Sequence, residues 1–571
     1  MSRSSRFDIR QVPFSTRGSW LSLSPVTGLH ETTDAIHLDS HVNGLRAVLR
    51  LEPVRDGAAI RVEWVADATC FAWRIDDDAV VEATFDGPDA VRLRGSGLAL
   101  RAADPVGELT PFTGSYLFVD PVDGAAVFTS YETGRRYRIR PLAGSIDVVG
   151  AEALGRADRS VVLGSDGGEW EAEIRQTTGG PRGAHASFDE LVAAKDSAFQ
   201  EWLDRVAPWR DGSTPAAELA AYVLWSATVS AEGELTRETV LMSKHWMNRV
   251  WSWDHVFNAL ALAPGHPELA LDQFLAPFDH QDETGAIPDS IGHSDVLWNF
   301  VKPPIHGWGF RRLRATLGRP MTGDELVEVH DRLAAWTRHW LDHRRAPGRA
   351  LPYYEHGNDS GWDNATTFDG ARVVESPDLA AYLVLQLETL CELGEELGRP
   401  VDEWMLERDR ILDALVGDLW TAGGFVGVEA HSRRRTSGTS LLMLMPFVLG
   451  TRLTASQRDV MAARLADHLT PFGSTTEPPT SPSYDDDGYW RGPIWAPSTA
   501  LLESGLRESG MGELADEISA RFRRLCESSG FAENFSATTG DGLRDRAYTW
   551  TAAVYLTLCA DAAHGPAGDR Q

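Results

Sequence analysis

The sequence predicts a multidomain chain, an N-terminal antiparallel β-sandwich followed by an all-α (α/α)6 barrel. Three observations lead there. At 571 residues the chain is too long for one ordinary core. Its first third alternates polar and apolar residues with a period of two. From about residue 215 the apolar spacing becomes helical, and short and long connections take turns between the helices. The boundaries read as 1–185 for the sandwich, 186–212 for a helical linker and 213–571 for the barrel.

The strand region contains "HVNGLRAVLRLEPV", "AAIRVEWVADATCFAWRID", "GAAVFTSYETGRRYRIRPL" and "GGEWEAEIRQ". Asn43-Gly44, Asp56-Gly57, Asp123-Gly124 and Asp166-Gly167-Gly168 punctuate it as hairpin turns. The texture changes at "SFDELVAAKDSAFQEWLDRVAPW". Ser187 is placed to cap a helix there, and Glu190 completes a capping box.

About twelve helices follow by pattern, near 215–230, 253–263, 266–279, 304–317, 323–343, 376–397, 402–417, 437–448, 455–467, 493–508, 511–529 and 545–562. Connections after the even-numbered members are short, such as "PG" and "LGRP". Those after the odd-numbered members are long and rich in aromatic and acidic residues. Helical hairpins joined this way form a toroid in which all long loops emerge on one face. Loops of that length in a compact domain usually carry function. They hold "SKHWMNRVWSWDH" (243–255), "HQDETGAIPDS" (280–290), "HGNDSGWDN" (356–364), "HSRRRTSGTS" (431–440), "YDDDGYWRGPIWAPS" (484–498) and "GFAENFSATTGDG" (530–542).

Composition narrows the chemistry. Hydrophobic residues make up 43% and charged residues 24%, the balance of a soluble globular protein. A net charge of -29 argues against nucleic acid and against an anionic membrane surface. Cys70, Cys391, Cys526 and Cys559 lack metal-ligand spacing and read as free thiols of a reducing compartment. The N-terminus has no apolar core of a secretory signal, so a cytoplasmic location is expected. Twenty Trp, many in loop-like stretches, offer flat apolar rings that stack on sugars or fill a core.

The loop face shows no Cys/His ligand set, no phosphate loop and no nucleophile elbow. No cofactor or metal is expected. Two acids across a Trp-lined pocket suit glycosidic bond cleavage. One protonates the leaving oxygen while the other activates water or attacks the sugar.

"HGNDSGWDN", "WSWDH", "YWRGPIWAP", "ENFSATTGDG" and "YTWTAA", spread over most of the helical half, together resemble glycoside hydrolase family 63. The resemblance implies an (α/α)6 barrel, often preceded by a β-sandwich, and hydrolysis of α-glycosides with inversion. It implies Asp363 as general acid and Glu533 as general base. Trp253 and Asp254 are expected to contact the sugar in the deepest subsite, with Trp362, Tyr489, Trp490, Arg491 and Trp495 around it. Asp359 reads as a sugar-hydroxyl ligand, a supporting group or a structural turn residue. Arg491 reads equally as an ion-pair partner, and Pro493 suits the first turn of a helix. Asp485, Asp486 and Asp487 read as a solvated run with Ca²⁺ as the alternative. Arg433, Arg434 and Arg435 read as surface residues, or as a grip on an anionic aglycone. His245 and His356 read as pocket walls.

The expected function is inverting hydrolysis of an α-glycosidic, mainly α-glucosidic, bond in a small oligosaccharide or glucoside. The partner is a small carbohydrate. Mannosylglycerate or glucosylglycerate hydrolysis is the alternative within the class. A disaccharide phosphorylase would lack the base that Glu533 supplies, and a binding protein would not need both acids. A terpenoid cyclase would need an apolar cavity that these polar loops do not make.

Overall fold

The computed structural model describes residues 5–105, 114–164, 168–177, 186–436 and 438–564. Two antiparallel sheets form its N-terminal part. One orders Leu21–Gly28, Glu31–Ser40, Arg46–Arg55, Ala99–Ala103, Ser160–Gly164 and Ser145–Val149, with Ala58–Ala59 paired to Arg46–Arg55. The other orders Ser115–Val119, Ala126–Ser130, Arg135–Ala143, Trp170–Gln176, Ala90–Ser96, Val80–Phe85, Phe71–Arg74 and Glu63–Ala66. Alternate residues of both enter one core: Leu21, Leu23, Ile36 and Leu38 from the first meet Val81, Ala83, Val91 and Leu93 from the second. This is the sandwich that the period-two pattern predicts. Asp56 and Gly57 both take positive φ, 51° and 77°, as a two-residue hairpin turn requires. The Asp166-Gly167 turn lies outside the described residues.

Helix α1, Phe188–Val206, opens with the expected box. Ser187 Oγ accepts from the Glu190 N–H, and the Glu190 carboxylate accepts from the Ser187 N–H at 2.8 Å. The barrel follows with α2 (Ala217–Ala227), α3 (Asp254–Leu262), α4 (Pro267–Leu275), α5 (His306–Thr316), α6 (Gly323–Arg338), α7 (Pro377–Leu397) and α8 (Asp402–Asp418). After a 3-10 segment, Leu441–Arg452, come α9 (Ala455–Leu465), α10 (Ala496–Glu508), α11 (Gly512–Ser529) and α12 (Thr549–His564). The inner ring is α3, α5, α7, the 3-10 segment, α10 and α12, each packed on the next, with α12 closing back onto α3. The remaining barrel helices pack outside them. Inner helices are apolar around most of their circumference; sixteen residues of α7 are buried.

Two local expectations are corrected. The predicted helix 437–448 is the 3-10 segment, because Pro446 removes a backbone donor and Gly450 takes φ 56°. Helix α10 begins at Ala496, so the first-turn proline is Pro497. Pro493 instead precedes an extended pairing of Ile494 with Phe535.

Every long loop runs from an outer helix to the N-terminus of an inner one. The positive ends of five inner α-helices therefore face the loop side of the toroid, where they favour negative charge. The sandwich docks on that same side. Trp20 and Val42 pack with Val229, Leu235, Leu241, Val250 and Ile291. Arg17 forks onto Glu238 at 2.6 and 2.9 Å. Lys244 is buried and donates to Ser15 Oγ at 2.8 Å and to the Ser19 carbonyl at 2.5 Å. The His30 ring at a hairpin tip meets Trp246 at 5.4 Å. Among the described residues no helix is long and apolar enough to cross a membrane.

Candidate active site

The loop His356–Phe368 answers to close packing. Gly357–Ser360 forms a 3-10 turn, and Ser360 Oγ ties it by donating to the Gly357 carbonyl at 2.6 Å and accepting from Trp362 N at 3.1 Å. Gly361 follows at φ 72°, and a Cβ there would lie 2.6 Å from the Trp253 ring. A Cβ on Gly357 would lie 2.1 Å from the Asp363 carbonyl oxygen. Both glycines permit the approach that sets Asp363 beside α3. Asn364 then clamps the neighbouring loop. Its Nδ2 donates to the Gly488 carbonyl and its Oδ1 accepts from Trp490 N, each at 3.0 Å.

Asp363 and Asp359 face opposite ways. Asp359 is buried and accepts from Val301 N (3.1 Å), Arg344 Nη1 (3.0 Å), Glu355 N (2.8 Å) and His356 N (3.3 Å). Four protein donors occupy it, so of its three readings the supporting one fits: it anchors the loop. Asp363 keeps 29% of its side chain exposed. Burial raises its pKa, Asp289 adds to the rise, and Lys302 and His356 oppose it.

Lys302 and Asp289 were not singled out from the sequence. Lys302 Nζ lies 3.0 Å from Asp289 Oδ1 and 4.0 Å from Asp363 Oδ1, and it donates to the Asn358 carbonyl at 3.0 Å. Burial works against its charge, yet Asp363, Asp289 and Asp254 outweigh that and raise its pKa. Asp254 opens α3, buried, and its Oδ2 has no protein partner. Burial pushes its pKa up to about 8, with Asp289 and Asp363 contributing and Lys302 opposing. A buried carboxylate oxygen without a protein donor is suited to accept from a ligand hydroxyl.

Glu533 lies in the loop between α11 and α12. It is 3% exposed, and burial together with Asp545 raises its pKa to about 8, while Arg544 and the Tyr489 hydroxyl favour the ionised form. Tyr489 is buried, and the charges of both Glu533 and Asp363 help push its pKa up. Asp545, another residue the sequence reading missed, accepts from Ser243 Oγ (2.5 Å), His245 Nδ1 (3.0 Å) and Ala547 N (3.1 Å). Its carbonyl accepts from Glu533 N at 2.7 Å. Tyr489 and Arg544 hold left-handed backbones, φ 64° and 59°, and Arg544 sits 5.0 Å over the Tyr489 ring. Two strained residues therefore flank Glu533.

The aromatic residues divide. Trp490 lies between Trp495 (4.0 Å, 5°) and Trp362 (4.7 Å, 32°), so no ring face is free for a sugar. That corrects its expected contact; it is the wall behind the pocket. Trp253 meets Trp550 edge-on at 5.8 Å, as Trp495 does at 5.6 Å. Arg491 donates through Nε to the Asn364 carbonyl at 2.7 Å and pairs with Asp369, so it braces the Asp363 loop rather than reaching a ligand. Asp486 latches two site loops, accepting from Tyr484 OH (2.6 Å), Ala537 N (3.0 Å) and Thr538 N (3.1 Å). Asp487 pairs with Arg544 at 2.8 Å. Arg433 pairs with Glu375 at 2.7 Å, and Arg434 donates to the Gly370 carbonyl.

Two outcomes follow from this geometry. Gly361→Ala forces a strained φ at a cost of about 1 kcal/mol or more and pushes on Trp253. We expect a lower melting temperature and at least about tenfold lower turnover. Glu533 carries a pKa raised by folding, so its proton stabilises the folded state at low pH and that contribution fades as pH rises towards about 8. Glu533→Gln removes the titration. Its melting temperature, measured against the parent chain, should gain steadily from pH 5 to pH 8 and then level off.

Comparison with known proteins bears on this site. The family described as "mannosylglycerate hydrolase MGH1-like glycoside hydrolase domain" matches residues 247–551, more than half of the chain and all six site loops in large part. A mannosylglycerate hydrolase of Rubrobacter radiotolerans is 25% identical over 422 residues, covering 57% of this chain and 93% of that protein. A glucosylglycerate hydrolase of Mycolicibacterium hassiacum is 22% identical over 450 residues, covering 61% and 98%. The solved structure of a family 63 mannosylglycerate hydrolase from Thermus thermophilus, in complex with glucose, aligns with a TM-score of 0.53 at 21% identity. It covers 59% of this chain and 98% of its own, and establishes the barrel fold. The chain belongs to the MGH1-like glycoside hydrolases of glycoside hydrolase family 63 and is an inverting glycoside hydrolase.

Proposed function

We propose that this enzyme hydrolyses the α-glycosidic bond of a small glycoside, with Asp363 as general acid and Glu533 as general base. The observation that supports the reading is the buried Tyr489 hydroxyl, which is within charge influence of both Glu533 and Asp363. Asp363 passes its proton to the glycosidic oxygen as the C1–O bond breaks. Glu533, in the ionised form that Arg544 and Tyr489 favour, takes a proton from a water that attacks C1 from the opposite side, so the sugar leaves with its anomeric configuration inverted. Asp254 receives a hydroxyl of the bound sugar at its unpartnered oxygen. Glycosylglycerates are the first substrates to try, because the curated relatives above carry those names. Neutral α-glucosides are the second.

The test is a panel of mannosylglycerate, glucosylglycerate and α-linked disaccharides, with NMR of the first anomer released. Release of β-sugar from an α-substrate is expected, and release of α-sugar would overturn the reading. Asp363→Asn and Glu533→Gln should each lower kcat by about 10²–10⁴ with the fold intact. A variant that keeps full turnover removes its residue from the scheme.

A further inference from the structure

Lys302 takes no part in the scheme above, yet it occupies the centre of the acid side. It is 6% exposed, on the segment that enters α5, and three carboxylates from three separate places surround it. Asp289 comes from its own loop, Asp254 from the start of α3 and Asp363 from the loop after α6. Its contacts are graded. Asp289 Oδ1 lies at 3.0 Å, and the Asn358 carbonyl accepts at 3.0 Å. Asp363 Oδ1 lies at 4.0 Å, beyond hydrogen-bond reach but within strong charge interaction.

We propose that Lys302 is the positioning residue that drives proton delivery by Asp363, stabilising the carboxylate this acid becomes while leaving its oxygen free to carry the proton beforehand. The proposal rests on the assignment of Asp363 as general acid. A direct hydrogen bond would hold Asp363 ionised and end its use as an acid. A gap of 4.0 Å avoids that. When the proton moves to the glycosidic oxygen, the negative charge appears on Asp363, and the ammonium meets it with no rearrangement. Asp289 and the Asn358 carbonyl fix the ammonium in place, and Asn358 sits in the same 3-10 turn that positions Asp363. The other groups that Asp363 feels are Asp289, His356 and, through its ring hydroxyl, Tyr489. Asp254 feels Lys302, Asp289 and Asp363 alike.

The experiment compares the parent enzyme with Lys302→Met, Lys302→Gln and Lys302→Arg on an α-glycoside and on the matching α-glycosyl fluoride. Fluoride leaves without a proton, so only the glycoside needs the acid. The pH limb seen with the glycoside and absent with the fluoride belongs to Asp363. In the Met and Gln variants we expect kcat on the glycoside to fall by about 10–100-fold and on the fluoride by less than about threefold. The Asp363 limb should move to higher pH, since a cation that favours the carboxylate is gone. Lys302→Arg should recover most of the glycoside rate. Equal losses on both substrates, or an unmoved limb, would overturn the proposal. Infrared spectroscopy of the protonated carboxyl that Asp363→Asn removes gives a readout that needs no turnover. That band should persist to higher pH in Lys302→Met than in the parent. An unchanged midpoint counts against the proposal even if the enzyme proves inactive on every α-glycoside tried, a result that would retire the substrate reading alone.

Discussion

Burying several carboxylates close together is the constraint on which the loop face depends. Asp254, Asp289, Glu533 and Asp545 are less than a tenth exposed, and Asp363 is only partly open. Left unpaired, such charges repel one another and lose hydration worth several kcal/mol each. The surroundings reduce that cost in distinct ways. Lys302 serves the acid side, Arg544 and His245 serve Glu533 and Asp545, and five inner α-helices present their positive ends. What remains is carried as protons, which is why Asp254 and Glu533 rise to about 8. A floor that holds protons near neutrality is suited to moving them.

Precision here comes from loops, which are ordinarily the less ordered part of a fold. This floor is made rigid by linking loops to one another. Asn364 joins the 356–368 loop to the 484–495 loop, Asp486 joins the latter to the 530–542 loop, and Glu477 accepts from Thr366 and Ser481 at 2.8 and 2.6 Å. The sandwich adds to this by docking on the first loop, where Lys244 reaches back into its N-terminal segment. The aromatic set behind the floor, Trp362, Trp490, Trp495 and Trp550, excludes water and offers no hydrogen-bond acceptor that would compete for the acids' protons.

The architecture was readable because apolar period and connection length are repeated signals. A helix that faces a core must show them, so the twelve segments and their alternation are present, while several ends shift by a few residues and Pro446 and Pro493 mislead most. The site was readable in part. Asp363 and Asp359 are four residues apart with similar neighbours, and only the fold shows that one meets four donors while the other meets the pocket. Arg491 and Trp490 sit in a motif rich in ligand-like residues but serve as brace and wall. Lys302, Asp289 and Asp545 left no trace as a group. Each is a single polar residue whose meaning lies in contacts from distant loops, and no local spacing encodes that. A Lys directly before two prolines, in the loop that leads into α5, was the one available hint.

Replacing each acid with alanine and supplying azide tests most directly how the two divide the work. Azide is a nucleophile that needs no base, and it fits where the water would stand. Glu533→Ala with azide is expected to regain turnover on an α-glycoside and to yield the β-glycosyl azide, whereas Asp363→Ala with azide should yield none from that substrate. Azide rescue confined to Asp363→Ala, or an α-azide from either variant, would contradict the account.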